Sequence, residues 1–157
     1  MIRNPVFGGL FVLSAAAFAA FTPVDAAGTK SDSKVKATAT TTKIDAKLTQ
    51  TVTITLKIDK GWHLYANPVN HEFLEGAATT VKIAGKNKNT TASVKYPPGK
   101  KIVDKKETYN IYEGVVKINA TVVRAPGDVG PLEITIGVQA CDKGVCLSPA
   151  KVKLTVP

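Results

Sequence analysis

The 157-residue chain predicts an all-β domain, an antiparallel β-sandwich, on three observations. Apolar and polar residues alternate with a period of two in about eight short stretches, turn signals recur about every eight to twelve residues, and no stretch carries a convincing amphipathic helical pattern. Thr51 to Asp59 shows the alternation best: Val52, Ile54, Leu56 and Ile58 take one face, and Thr51, Thr53, Thr55 and Lys57 the other.

The remaining elements follow in order. Val35 to Ile44 is threonine-rich and weakly alternating, as an edge strand can be. Lys60-Gly61 closes the strong strand, and the next begins at Trp62. It sends Trp62 and Leu64 to one face and His63 and Tyr65 to the other before Pro68 breaks it. Residues 67–78 read as a loop with one helical turn. Thr79 to Ala84 and Ala92 to Tyr96 read as a strand and its return across the polar turn Lys86-Asn87-Lys88-Asn89. Pro97-Pro98-Gly99 interrupts regular structure, and Lys100 to Glu113 reads as the longest irregular stretch. Tyr109, Ile111 and Tyr112 make that loop more apolar than a solvated connector needs, which marks it for function or motion. Val115 to Arg124 is a strand through Val116, Ile118, Ala120 and Val122, and Pro126-Gly127-Asp128 turns the chain.

The first residues stand apart from this pattern. Arg3 precedes an uncharged apolar run, Val6 through Phe21, of the length of a signal-peptide core and shorter than a comfortable membrane span. Val24-Asp25-Ala26 suits cleavage before Ala27, with Ala17-Phe18-Ala19 an alternative earlier site and an uncleaved signal anchor the competing reading, so residues 1–26 are read as an export signal, 27–34 as a flexible leader and 35–157 as the domain. No cysteine lies near the cleavage site, which argues against a lipid anchor. About 130 residues remain, enough for one modest core and too few for two.

The net charge of +9 is carried almost entirely by lysine. Lys57, Lys82, Lys95, Lys117, Lys151 and Lys153 alternate with apolar residues, as the solvated face of half-buried strands does. After the signal, Arg124 is the one arginine, which argues against nucleic-acid recognition, where bidentate arginine is favoured. His63 and His71 are too few for a metal site without a paired ligand in sequence.

The chemistry concentrates in Gln139-Ala140-Cys141-Asp142-Lys143-Gly144-Val145-Cys146-Leu147-Ser148-Pro149, which holds both cysteines of the chain. Leu132, Ile134, Ile136, Val138 and Ala140 alternate into it, and Val152, Leu154 and Val156 alternate out, so the cysteines lie at the tip of a hairpin. Gly144 is expected to supply a positive φ in the reversal, bringing Cys141 and Cys146 to disulfide distance. Closing so short a loop stabilises by roughly 2 kcal/mol in the chain-entropy model, against about 4 to 5 kcal/mol for a loop of a hundred residues. A staple gains little here, although exported proteins commonly carry staples. Asp142 and Lys143 push a neighbouring thiol in opposite directions, so charge does not select the attacking sulfur.

Gly61-Trp62-His63-Leu64-Tyr65, Tyr96-Pro97, Tyr112-Glu113-Gly114-Val115-Val116 and the cysteine turn, in that order, resemble the N-terminal periplasmic domain of the thiol:disulfide interchange protein DsbD over residues 45–157. The resemblance implies an immunoglobulin-like sandwich and cofactor-free thiol–disulfide exchange in the periplasm. Electrons would come from a membrane thiol transporter and pass to thioredoxin-fold proteins, making the chain a candidate protein-disulfide reductase or electron-shuttle component. It implies Cys141 and Cys146 as the redox pair, with Cys146 facing the partner. Tyr65 would lie beside them with His63 in support, and the loop before Tyr112 would be a cap, with Tyr109 and Tyr112 restricting access. In DsbD the cysteines stand one residue further apart and the cap carries a phenylalanine, for which Tyr109 is the substitute here. DsbD also continues into a membrane channel and a thioredoxin-like domain, whereas this sequence stops at Pro157, so a free-standing relative with a separate electron donor is expected. No feature of the sequence specifies an oligomeric state. The competing expectation is a non-catalytic exported sandwich, an interaction module whose hairpin disulfide is inert.

Overall fold

The computed structural model describes residues 30–104 and 107–157. The expected export signal at 1–26, and residues 27–29 of the expected leader, lie outside the described residues.

Alternation becomes architecture most directly in the largest sheet, whose strand order is β1 (Val35–Thr41), β2 (Thr49–Ile58), β8 (Val115–Val123), β5 (Thr91–Lys95). In the antiparallel pair β2 and β8, Ile54 stands opposite Ile118 and Val52 opposite Ala120. Side chains directly opposite share a face, so one register buries Val52, Ile54, Leu56 and Ile58 of β2 together with Val116, Ile118, Ala120 and Val122 of β8. A second sheet, β11 (Ala150–Val156), β9 (Leu132–Val138), β4 (Thr80–Ala84), contributes Leu132, Ile134 and Ile136 to the same core. Burying each such aliphatic side chain stabilises by ~1.5–3 kcal/mol. The result is an antiparallel β-sandwich of the immunoglobulin-like kind.

A third, smaller sheet carries the strands nearest the cysteines: β10 (Ala140–Cys141), β3 (His63–Tyr65), β7 (Glu107–Tyr112), β6 (Lys100–Asp104). Among the described residues, eleven strands thus replace the expected eight. The expected irregular stretch from Lys100 to Glu113 is corrected to the antiparallel pair β6 and β7, with Ile102 opposite Tyr109. Its sequence hid the pairing because β7 presents partly or fully buried residues on both faces, so the alternation is blurred, and no glycine or asparagine stands in the sequence between Asp104 and Glu107. The expected return strand is also corrected. β5 pairs with β8 and β4 with β9, so the chain crosses between sheets at the Lys86 turn. Alternation reports which face is buried and is silent about which neighbour a strand pairs with.

That crossing is held by a buried polar group. The Asp128 carboxylate accepts from the Thr90 hydroxyl and the Asn87 N–H and lies 3.8 Å from the Arg124 guanidinium. Arg124, 3% exposed, donates from Nε to Gln50 Oε1 at 2.7 Å and from Nη1 to the Gly130 carbonyl. The lone arginine of the domain is therefore a structural cross-brace, and its planar fork suits that task better than lysine would.

The flexible leader is corrected over its described part. Ser31–Lys34 forms a 3₁₀ turn, and Lys30 bridges in parallel to Ser148. Ser31 is fully buried because its hydroxyl satisfies backbone groups that would otherwise be unpaired. The Lys34 ammonium sits 5.1 Å from the centre of the Trp62 ring, which is half-buried against the core.

Candidate functional site

The cysteine turn is built where one strand changes sheets. β9 ends at Val138 in the second sheet, and after one residue β10 pairs with β3 in the third. Ala140 stands opposite Leu64, both fully buried toward the core, and Cys141 stands opposite His63. The return limb is tied back by the Leu147 N–H donating to the Ala140 carbonyl at 2.9 Å.

Between the limbs, the Asp142 N–H donates to the Val145 carbonyl, while the Asp142 carboxylate accepts from the N–H groups of Gly144 (2.7 Å) and Val145 (2.8 Å). These two amides hold the Asp142 carboxyl below its ordinary pKa, with the nearby His63 adding to the effect. They also explain why the expected positive φ at Gly144 is absent. The aspartate organises the turn through its own side chain, as an Asx-turn does, and no left-handed residue is needed.

Cys141 and Cys146 are joined in a disulfide, their Cα atoms 4.0 Å apart. The two ends of the bond are unlike. Cys141 is 1% exposed, whereas Cys146 lies open to solvent beside exposed Val145. Of the two, Cys146 is the residue exposed to solvent.

On the face that Cys141 shares with His63, β3 and β7 extend an aromatic row. The rings of His63 and Tyr65 meet edge to face at 5.9 Å, and those of Tyr65 and Tyr109 do so at the same distance. Burial holds the His63 pKa below its usual value despite the opposing pull of Glu113 and Asp142. Burial, then the neighbouring Tyr109, raises that of Tyr65.

Four of the expected residues, Cys141, Cys146, His63 and Tyr65, thus form one connected group, with Tyr109 at its far end. Tyr112 is corrected out of it. It stands opposite Leu64 on the core face, 3% exposed, and its hydroxyl donates to the Pro97 carbonyl at 2.8 Å and accepts from the Asn67 N–H at 3.3 Å. Tyr109 and Tyr112 are three apart on a strand, so they necessarily point to opposite faces. His71 is also elsewhere, paired with Glu107, and among the described residues no three His, Cys, Asp or Glu side chains converge as a metal set.

Two structural roles escaped the sequence reading. That of Asp142, read there only as a charge near the thiols, could have been found from the Asp-x-Gly pattern in a tight turn. That of Ser31 could not, because its partners are more than a hundred residues away.

Fold and site together define a sandwich domain with a half-buried, half-open disulfide at a strand reversal. The sequence matches the family model described as "Thiol:disulfide interchange protein DsbD, N-terminal" over residues 31–156, and the chain belongs to that family. Among solved structures, the N-terminal periplasmic domain of ScsB from Proteus mirabilis superposes with a TM-score of 0.57 at 14% identity, covering 78% of this chain and 46% of that one. The chain thus spans about half the length of that structure. The reduced N-terminal domain of DsbD from Neisseria meningitidis matches at 15% identity and a TM-score of 0.44 over 75% of this chain and 82% of that one. The complex of the DsbD and PilB N-terminal domains from the same organism matches at 14% identity and a TM-score of 0.47, covering 67% and 73%. No curated protein matches the chain. Among the described residues, no helix is long and apolar enough to cross a membrane.

Proposed function

We propose that the chain is a thiol–disulfide exchange domain of the periplasm, passing reducing equivalents from a membrane thiol transporter to thioredoxin-fold proteins through Cys141 and Cys146. The observation that carries this reading is the asymmetry of the pair: one cysteine exposed, the other buried, in a domain of the DsbD N-terminal family. Export is supported by the apolar run from Val6 to Phe21, and thioredoxin-fold partners by family membership.

In the reduced domain the Cys146 thiolate attacks a partner disulfide. One partner sulfur leaves as thiolate, and a mixed disulfide forms. The Cys141 thiolate then attacks Cys146 Sγ, the Cys141–Cys146 bond closes, and the second partner sulfur leaves. Two electrons have passed to the partner, and no cofactor takes part. Reduction of the domain by its donor runs the same steps in reverse. Tyr65 and Tyr109, with His63 between Tyr65 and the cysteine, serve as the cap that limits which thiols approach, in the place the family gives to its phenylalanine.

The test is capture and equilibration. Replacing Cys141 by serine leaves Cys146 without its resolving sulfur, and the variant is expected to accumulate a mixed disulfide with an oxidised thioredoxin-fold protein. Replacing Cys146 instead is expected to abolish capture. A wild-type potential below about −300 mV together with no capture is the behaviour of an inert staple and would overturn the proposal.

A further inference from the structure

We infer that Ser31 is a positioning residue for the cysteine pair, holding the two limbs of the turn together when the disulfide is open. The inference rests on the exchange function proposed above. Four hydrogen-bond contacts converge on this residue. Ser31 Oγ accepts the Ala140 N–H at 2.8 Å and donates to the Ser148 carbonyl at 2.8 Å, with the Leu147 carbonyl a longer acceptor at 3.4 Å, and the Ser31 N–H donates to the Ser148 carbonyl at 3.0 Å. Ala140 immediately precedes Cys141, and Ser148 follows Cys146 by two residues. One side chain therefore spans the base of the turn from limb to limb.

Two backbone bonds also cross the turn. The Leu147 N–H donates to the Ala140 carbonyl at 2.9 Å beside Ser31, and the side-chain bridge of Ser31 adds to it the two groups it leaves unpaired, the Ala140 N–H and the Ser31 hydroxyl. The Asp142 N–H bond to the Val145 carbonyl lies at the solvated tip, where water competes for both groups. Ser31 is 0% exposed, so opening its bonds strands a buried N–H and a buried hydroxyl. In the oxidised domain the sulfur bridge already holds the limbs. In the reduced domain that covalent tie is gone, and Ser31 keeps Cys141 beside Cys146 at high effective concentration. Ring closure is then a local motion, with its orientation entropy already removed.

Removing the hydroxyl has two consequences of one sign. The reduced limbs gain freedom, which favours the dithiol. The Ala140 N–H also loses its acceptor, and the oxidised form, held shut by the sulfurs, is less able to open and hydrate it. Both make the disulfide easier to reduce.

The experiment equilibrates the purified chain with glutathione, in which the protein disulfide and two glutathione thiols give the protein dithiol and glutathione disulfide. Ser31→Ala is expected to raise the equilibrium constant for reduction about tenfold, a potential ~30 mV less negative. Ser31→Thr keeps the hydroxyl and is expected to remain near wild type. Val122→Ala, on β8 and away from the turn, loses stability by a cavity alone and is expected to move the constant by no more than about twofold. Hydrogen exchange at the Ala140 amide of the wild-type chain, which needs no variant to fold, is expected to show protection in both redox states. A Ser31→Ala constant equal to or below wild type, a Val122→Ala shift as large, or Ala140 protection lost on reduction would each overturn the inference. If the wild-type chain itself does not equilibrate with glutathione, the exchange function falls; if it does and Ser31→Ala matches it, this inference alone falls.

Discussion

The sheet built on β2 and β8 and the sheet built on β3 and β7 are both antiparallel, yet they are held together by different forces. In the first, strands of ten and nine residues meet along a register that buries one continuous apolar face. In the second, strands of three and six residues, with β10 only two long, make too few ladder bonds and bury too few side chains to hold themselves. Long-range side-chain bonds compensate. Tyr112 ties β7 to Asn67 and Pro97, the Thr79 hydroxyl donates to the Tyr65 carbonyl at 2.7 Å, and Ser31 joins the limbs of the cysteine turn. The difference separates stability from adaptability: the long sheet supplies a rigid support, while the short one can be opened at its edge without unfolding the support.

Four measurements test that division. Ile54→Ala removes a fully buried side chain from the long sheet and is expected to cost ~2–5 kcal/mol in urea denaturation while leaving the disulfide's reduction equilibrium unchanged. A shift in that equilibrium would mean that the two regions are not separable. Reducing the Cys141–Cys146 bond restores to the unfolded chain only a short loop's worth of entropy, so the dithiol form is expected to remain folded and to lose roughly 2 kcal/mol. A dithiol form that unfolds would make the bond a structural staple.

Tyr112→Phe keeps the ring in the core and deletes the hydroxyl bonds, with an expected loss of about 1 kcal/mol and unaltered partner capture, since the residue faces away from the sulfurs. The smallest effect is a pH dependence. Burial depresses the His63 pKa below 6.5, so the folded domain resists a proton that the unfolded chain accepts. The stability this preserves is complete above about pH 6.5 and is lost as pH falls from there through the folded-state value. Denaturation midpoints measured from about pH 7 to pH 5 are expected to fall, and His63→Gln to flatten the slope over that window.

How much of this was legible depends on the range over which each cause acts. Val52, Ile54, Leu56 and Ile58 declared their strand because alternation is a local property, and the same holds for Val116, Ile118, Ala120 and Val122. The cysteine tip was legible for the same reason: two alternating runs converge on a short polar reversal. β6 and β7 were not, since β7 carries buried or half-buried residues on both faces, from Tyr109 and Ile111 on one to Asn110 and Tyr112 on the other.

The amino-acid order alone determined an all-β domain, its buried faces and a pair of cysteines at a strand reversal, because each of these follows from side chains within a few residues of one another. Tertiary structure decided which strands pair, which tyrosine joins the aromatic row, which sulfur meets solvent, and that a serine more than a hundred residues away closes the base of the turn. Those outcomes depend on hydrogen bonds and burial between segments far apart in the chain, and periodicity carries no information about partners at that distance.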